Sequence, residues 1–260
     1  MKNLGIWFVK LFQTFLLAGQ VVWHLLIKRK LHWRNTVDQM SVVGTESLLI
    51  TLVTASFVGG VFTIQVAKEF INFGATQAIG GVLAIALTRE LSPVLTAVII
   101  AGRVGSAFAA EIGTMQVTEQ IDALYMLRTD PIDYLITPRV VACIVMMPIL
   151  TTLSLLTGMT GGILISQIAY NIPQSVFLSS VLTFMKPWDL ISAIVKSIVF
   201  GALIALIGSN WGITTTGGAK GVGESTTTAV VTALLAIFIC NFLLTWLLFG
   251  DLSKNLATTF

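Results

Sequence analysis

The chain has 260 residues, of which 55% are hydrophobic and only 10% charged, with a formal net charge of +3 and a mean hydropathy of +0.91. Soluble domains carry about 25% charged residues, so this composition excludes a soluble enzyme or binding module and marks a polytopic membrane protein. The small positive charge is distributed as membrane proteins distribute it, which gives no footprint for nucleic acid. Cys143 and Cys240 lie in apolar runs, where a buried thiol is the simple reading, and His24 and His32 have no companion ligands, so no metal site is expected. The first residues lack a short apolar core followed by a small-residue cleavage site, so no removed signal peptide is expected.

From Asn3 to Lys28 the residues Asn3, Lys10, Gln13, Thr14, Gln20, His24 and Lys28 fall on one arc of a helical wheel. This stripe predicts a helix in the cytoplasmic interface, with Trp7, Phe8, Phe12, Phe15 and Trp23 available for the lipid side; the length also permits a first span. Lys28, Arg29 and Lys30, with Arg34, then form a basic anchor on anionic lipid. Residues 1–46 are accordingly an interfacial helix and basic connector, and residues 47–250 a core of five spans. Span one is Ser47 to Ala67 and span two Ala78 to Gly102, which contains Arg89, Glu90 and Pro93. The Gly102, Ser106, Ala110 spacing, with Gly105 and Ala109 beside it, suits close helix packing.

Residues 103–139 are the longest polar segment, and within them Met115 to Leu127 reads as an amphipathic helix ended by Asp130-Pro131. Span three runs from Val140 to Gln167, followed by an exterior loop to Asp189. Span four is Leu190 to Asn210 with Lys196 inside, a Gly and Thr-rich loop covers Trp211 to Ser225, and span five is Thr226 to Gly250. With the N-terminus inside, the cytoplasmic segments hold Lys2, Lys10, Lys28, Arg29, Lys30, Arg34, Arg103, Arg128, Arg139 and Lys220, against Lys68, Lys186 and Lys254 outside. The positive-inside rule therefore puts residues 103–139 in the cytoplasm.

Polar groups inside apolar spans are costly and mark function. At the helical rise of 1.5 Å per residue, Arg89 and Glu90 lie about 16 to 18 Å from the exterior end of span two, Lys196 about 12 Å and Asn241 about 14 Å along theirs. Glu90 and Lys196 can neutralise each other, or Arg89 and Glu90 can bond a helix carbonyl or a lipid headgroup; an ion pair that only fixes helix packing is the alternative. The glycine-rich loop at Trp211 to Gly221 fails the phosphate-binding pattern of nucleotide hydrolases, because Ala219 separates Gly218 from Lys220. No nucleotide or other cofactor is expected in this chain, and no span carries a histidine base, so an enzyme is not expected either.

Four blocks in order carry a specific likeness: Arg89-Glu90-Leu91-Ser92-Pro93-Val94, Ala101-Gly102-Arg103-Val104-Gly105-Ser106, Ala110-Glu111-Ile112-Gly113-Thr114-Met115, and Thr118-Glu119-Gln120-Ile121-Asp122-Ala123-Leu124. They resemble the MlaE (YrbE) family of permeases, membrane subunits of ATP-driven lipid transporters of the bacterial inner membrane and chloroplast inner envelope. The likeness implies an all-α fold and a lipid cavity near Arg89, Glu90, Lys196 and Asn241, although members often carry an acid where this chain has Asn241. It implies that Glu111, Gly113, Met115, Glu119, Gln120, Asp122 and Leu124 belong to a coupling segment docked on a separate ATPase, which binds ATP and magnesium. Two ATPase subunits and an exterior MCE-domain lipid-binding protein are the implied partners. Five spans enclose little, so a homodimer with a shared cavity is expected. The competing function is an ion-coupled secondary transporter, which also places Arg, Glu and Lys in spans but usually has internal repeats with paired broken helices, absent here.

Overall fold

A computed structural model describes residues 2–24 and 32–250, and among these residues it contains helices and no strands. The basic run at Lys28, Arg29 and Lys30, and Lys254, lie outside the described residues. The helices are α1 (Lys2–Trp23), α2 (Trp33–Val43), α3 (Thr45–Asn72), α4 (Ile79–Ala86), α5 (Ser92–Ile100), α6 (Ser106–Val117), α7 (Gln120–Met126), α8 (Thr137–Tyr170), α9 (Gln174–Phe184), α10 (Pro187–Ile213) and α11 (Gly218–Phe249). Five helical runs are long and apolar enough to cross a membrane: Trp33–Asn72, Thr76–Val117, Ile132–Tyr170, Pro187–Ile213 and Gly218–Phe249. The expected five-span, all-α membrane architecture is therefore present, with each helix longer than hydropathy alone predicts.

The helix of span two does not stop at Gly102. Two π turns, Leu87–Leu91 and Ala101–Gly105, join α4, α5 and α6 into one run from Thr76 to Val117. Each π turn accommodates one residue more than the α ladder, and such insertions concentrate at functional sites. The amphipathic helix expected over Met115 to Leu127 is broken. Thr118 ends α6, Glu119 takes a left-handed backbone (φ 61°), and a new seven-residue helix runs only from Gln120 to Met126. The exterior loop expected up to Asp189 contains α9, and the glycine-rich loop shrinks to four residues, 214–217, because α10 continues through Trp211 and α11 starts at Gly218. Gly217 and Gly218, with φ of 91° and 64°, supply the turn that only glycine makes without strain.

The chain divides into two compact units. The first comprises Met1–Glu46, Ala97–Met146 and Ile198–Phe242. Its centre is built from α6, α8, α10 and α1, with Phe108, Ile112, Ile136, Ile204, Ile207 and Trp211 buried. Of the small residues expected to pack there, Gly105 and Ala109 make close contacts and Gly102 has open space around it: a Cβ at Gly208 would strike the Gly105 carbonyl, and one at Gly212 would strike Ile112 and approach the Ala109 carbonyl. Part of the polar stripe of α1 turns inward, while Gln13 and Gln20 stay exposed. Thr14 and His24 are buried, Lys10 is half-buried, and Trp7, expected on the lipid side, donates from Nε1 to Thr232 Oγ1 at 2.9 Å, while Phe12, Phe15 and Trp23 are exposed.

The second unit comprises Ser47–Thr96, Met147–Ser197 and Leu243–Phe260. Its apolar core joins Ala67, Ile79, Leu83, Leu87, Leu155, Ile172, Phe177 and Val181. Helix α9 lies along α4, where Gly81 N donates to Ser180 Oγ at 2.9 Å and a Cβ at Gly80 would meet the Phe177 carbonyl. Helices α3 and α8 approach closely enough that a Cβ at Gly59 would overlap the Gly158 carbonyl, and one at Gly161 the Ser56 carbonyl.

Candidate functional site

Proline at position 93 sets the local problem. It has no N–H to give to the carbonyl four residues earlier, that of Arg89, and the chain answers with a π turn over residues 87–91 and a donor from another helix. Lys196 of α10 donates from Nζ to the Arg89 carbonyl at 2.7 Å. The same ammonium donates to Glu90 Oε1 at 2.8 Å and to Thr245 Oγ1 of α11 at 2.8 Å, so all three of its protons are used. Thr245 in turn donates to Glu90 Oε1 at 2.8 Å, which closes a ring of three side chains. The Lys196 side chain is 0% exposed and that of Glu90 39%. A cation withdrawn from solvent is thus held by a carboxylate whose far edge remains accessible.

Arg89 points to a different partner. Its Nε donates to Asp189 Oδ1 at 2.8 Å, and its guanidinium lies 4.4 Å from the centre of the Phe249 ring. Asp189 is 1% exposed, and its second oxygen accepts from the backbone N–H of Lys186 at 2.9 Å at the start of α10. Adjacent residues of one π turn therefore reach partners two turns apart on α10. Of the residues expected from the sequence, Arg89, Glu90 and Lys196 converge in the second unit. Asn241 is half-buried one turn before Thr245 on α11 and belongs to the first unit. Asp189 and Thr245 were not expected; the proline at 93 signals an orphan carbonyl at Arg89, but nothing in sequence says which span answers it. Beside this cluster a cavity of about 170 Å³ is lined by Thr88, Ser92, Thr151, Leu155 and Ala193, and the buried hydroxyls of Ser92 and Thr151 have no hydrogen-bond partner there.

The residues expected to form the coupling surface all lie in the first unit. Glu111 on α6 accepts from Nη2 of Arg139 at 2.7 Å, and Arg139, buried at the start of α8, also donates to the Leu135 carbonyl at 3.0 Å. Gly113 is buried against Thr215, and Met115 is half-buried. Glu119, Gln120 and Asp122 are exposed, Leu124 is half-buried and Ile121 is the buried anchor of α7. Tyr125, Met126 and Leu127 follow as a contiguous exposed apolar patch. An exposed patch ringed by acids and polar groups is the form of a docking surface. The acids Glu111 and Glu119 thus differ: the first braces α8, the second faces outward.

Comparison with known proteins agrees with this architecture. A probable ABC transporter permease protein of Synechocystis sp. is 65% identical over 247 residues, 95% of this chain and 94% of that protein. The chloroplastic protein TRIGALACTOSYLDIACYLGLYCEROL 1 of Arabidopsis thaliana is 53% identical over 243 residues, covering 92% of this chain and 69% of that protein. A probable ABC transporter permease protein of Rickettsia prowazekii is 42% identical over 224 residues, 86% of each chain. The profile of the family described as permease MlaE matches residues 36–247, reaching into all five spans, and the chain is a member of that family and a permease subunit of an ABC transporter.

Proposed function

We propose that the chain is the lipid-conducting subunit of an ATP-driven transporter. The observation that carries this reading is the Lys196-Glu90-Thr245 ring beside the Arg89-Asp189 pair, a concentrated polar site within apolar spans. A lipid headgroup offers a polar moiety for such a site and acyl chains for apolar walls. Glu90, accessible on one edge, and Arg89, one third exposed, are the groups that contact it, while Lys196 and Asp189 hold them in place. Kinship with a relative named for a galactosyl diacylglycerol supports a glycerolipid as cargo.

Energy comes from a partner ATPase, which binds ATP and magnesium; this chain carries no nucleotide loop. Helix α7, with exposed Glu119, Gln120 and Asp122 and the patch at Tyr125, Met126 and Leu127, docks on it. The continuous helical run from Thr76 to Val117 carries both Arg89-Glu90 and Glu111, so the transport residues and the coupling segment share one stretch of helix. Two copies enclose the lipid cavity, two ATPase subunits drive alternating access, and an MCE-domain protein exchanges lipid on the exterior side of a bacterial inner membrane or chloroplast envelope.

The test is copurification of detergent-solubilised protein with its neighbours, followed by mass spectrometry of proteins and lipids, for wild type and Glu119→Lys. An ATPase and a glycerolipid recovered with wild type, and the ATPase lost from the variant, is the expected result. Recovery of no ATPase in either sample overturns the reading and favours ion-coupled transport.

A further inference from the structure

Apart from the intramembrane cluster, the first unit contains a cavity of about 390 Å³ between α1, the end of α10 and the first turns of α11. Its most unusual feature is Lys10. The ammonium donates to the Thr214 carbonyl at 3.3 Å and sits 5.9 Å from the centre of the Trp211 ring. No carboxylate among the described residues lies within ion-pair distance of it. Glu224 also lines the cavity, but it is exposed and faces Lys220 at 3.9 Å. Burial pushes Lys10 below the ordinary lysine value, the mark of a cation withdrawn from water without a matching anion.

The remaining walls supply hydrogen-bond donors. Ser225, 8% exposed, lines the cavity with its hydroxyl unpartnered among the described residues. Thr216 lines it from the connecting turn, and Gly221 and Thr228 line it from α11. Trp7 and Trp211 close the apolar side. A half-buried cation and the hydroxyl-bearing residues Thr216, Ser225 and Thr228 around one open space are the elements of an oxyanion site.

We propose that this cavity binds a tetrahedral oxyanion, the phosphate of an acidic lipid headgroup or free phosphate, on the face that the positive-inside count assigns to the cytoplasm. It is separate from the transport site, since all its lining residues belong to the first unit. The occupant ties α1 to the α10–α11 turn, adding a third link to the Lys10–Thr214 bond and the Asn210 Nδ2 bond to the Lys10 carbonyl at 2.9 Å. Its stability contribution therefore depends on occupancy.

The experiment uses the full chain in detergent, titrated with phosphatidylglycerol, with phosphatidylcholine of the same acyl chains, and with diacylglycerol, and read by native mass spectrometry. Wild type retains one phosphatidylglycerol per chain in preference to the other two. Lys10→Gln weakens that binding roughly tenfold, the usual size of one charge-assisted hydrogen bond, while Lys68→Gln leaves it unchanged. Ser225→Asp, which leaves Lys10 and its bond to Thr214 in place, gives the same loss and carries the test if the Lys10 variant fails to fold. Displacement by millimolar inorganic phosphate identifies a soluble oxyanion as the occupant, and persistence of the lipid identifies a headgroup. Equal binding by wild type and both cavity variants, or binding of neither phosphatidylglycerol nor phosphate by wild type, overturns the proposal.

Discussion

Neutralising either end of the Glu90–Lys196 pair removes the same ion pair, but the two substitutions leave different things behind. Glu90→Gln strands an ammonium whose side chain is 0% exposed, with only the Arg89 carbonyl and the Thr245 hydroxyl as partners. Lys196→Met strands a carboxylate that is 39% exposed and still accepts from Thr245, and it also takes the donor away from the Arg89 carbonyl. Breaking a buried pair by removing one partner costs about 3–5 kcal/mol. The amide oxygen of glutamine brings the glutamate variant to about 3 kcal/mol, whereas the accessible edge of Glu90 discounts the charge left by the lysine variant to about 1–2 kcal/mol and the orphaned carbonyl adds about 1–3 kcal/mol. Thermal unfolding in one detergent then places Glu90→Gln roughly 6–12 °C below wild type and Lys196→Met roughly 4–20 °C below, at about 2–4 °C per kcal/mol. The double variant Glu90→Gln/Lys196→Met still lacks the donor to Arg89 but strands no charge, so it should melt well above the temperature that the sum of the two losses gives. A double variant showing that full sum would refute this account of the charges the fold must neutralise.

Asp189→Asn removes the counter-charge of Arg89 and weakens the cap at the Lys186 amide; about 2–3 kcal/mol of stability should be lost in the same melting assay. Gly59→Ala puts a methyl group against the Gly158 carbonyl and should cost about 1–3 kcal/mol, whereas Gly102→Ala, in open space on a helix, should be neutral or stabilising by about 0.5–1 kcal/mol. Met126→Asp places a charge in the exposed apolar patch at the end of α7; ATPase recovery on copurification should fall while the melting temperature stays within about 2 °C of wild type, the ordinary range for a surface change.

The spans were legible because length and hydropathy are sufficient statistics for a membrane helix. Glu90 and Lys196 were legible as partners because charges in apolar helices seek each other. What hydropathy could not report was every feature that depends on a neighbour. Helix α9 has eleven residues, too few to span, and is placed by its packing on α4, so its sequence resembles an apolar loop. Which of the small residues make the close contact was not legible, because the π turn over Ala101–Gly105 shifts the helical phase there: Gly105 and Ala109 meet α10, while Gly102 stands in open space. The break at Glu119 has neither glycine nor proline to announce it. The left-handed residue follows Thr118, whose hydroxyl returns to the Thr114 carbonyl at 2.8 Å, and local bonding of this kind leaves no periodic trace.

The contact of Gly59 with Gly158, and of Ser56 with Gly161, means that α3 and α8 touch main chain to main chain. No side chain there can change rotamer to absorb a sliding displacement, and separation would open a gap between backbones too tight for an acyl chain to fill. The crossing therefore works as a fulcrum: angular change is cheap at the point of contact and grows linearly with distance along each helix. At 1.5 Å per residue, a tilt of about 10° at this point moves a residue fourteen positions away by roughly 4 Å. Lateral opening within this unit is thus greatest at the helix ends and smallest at the glycines.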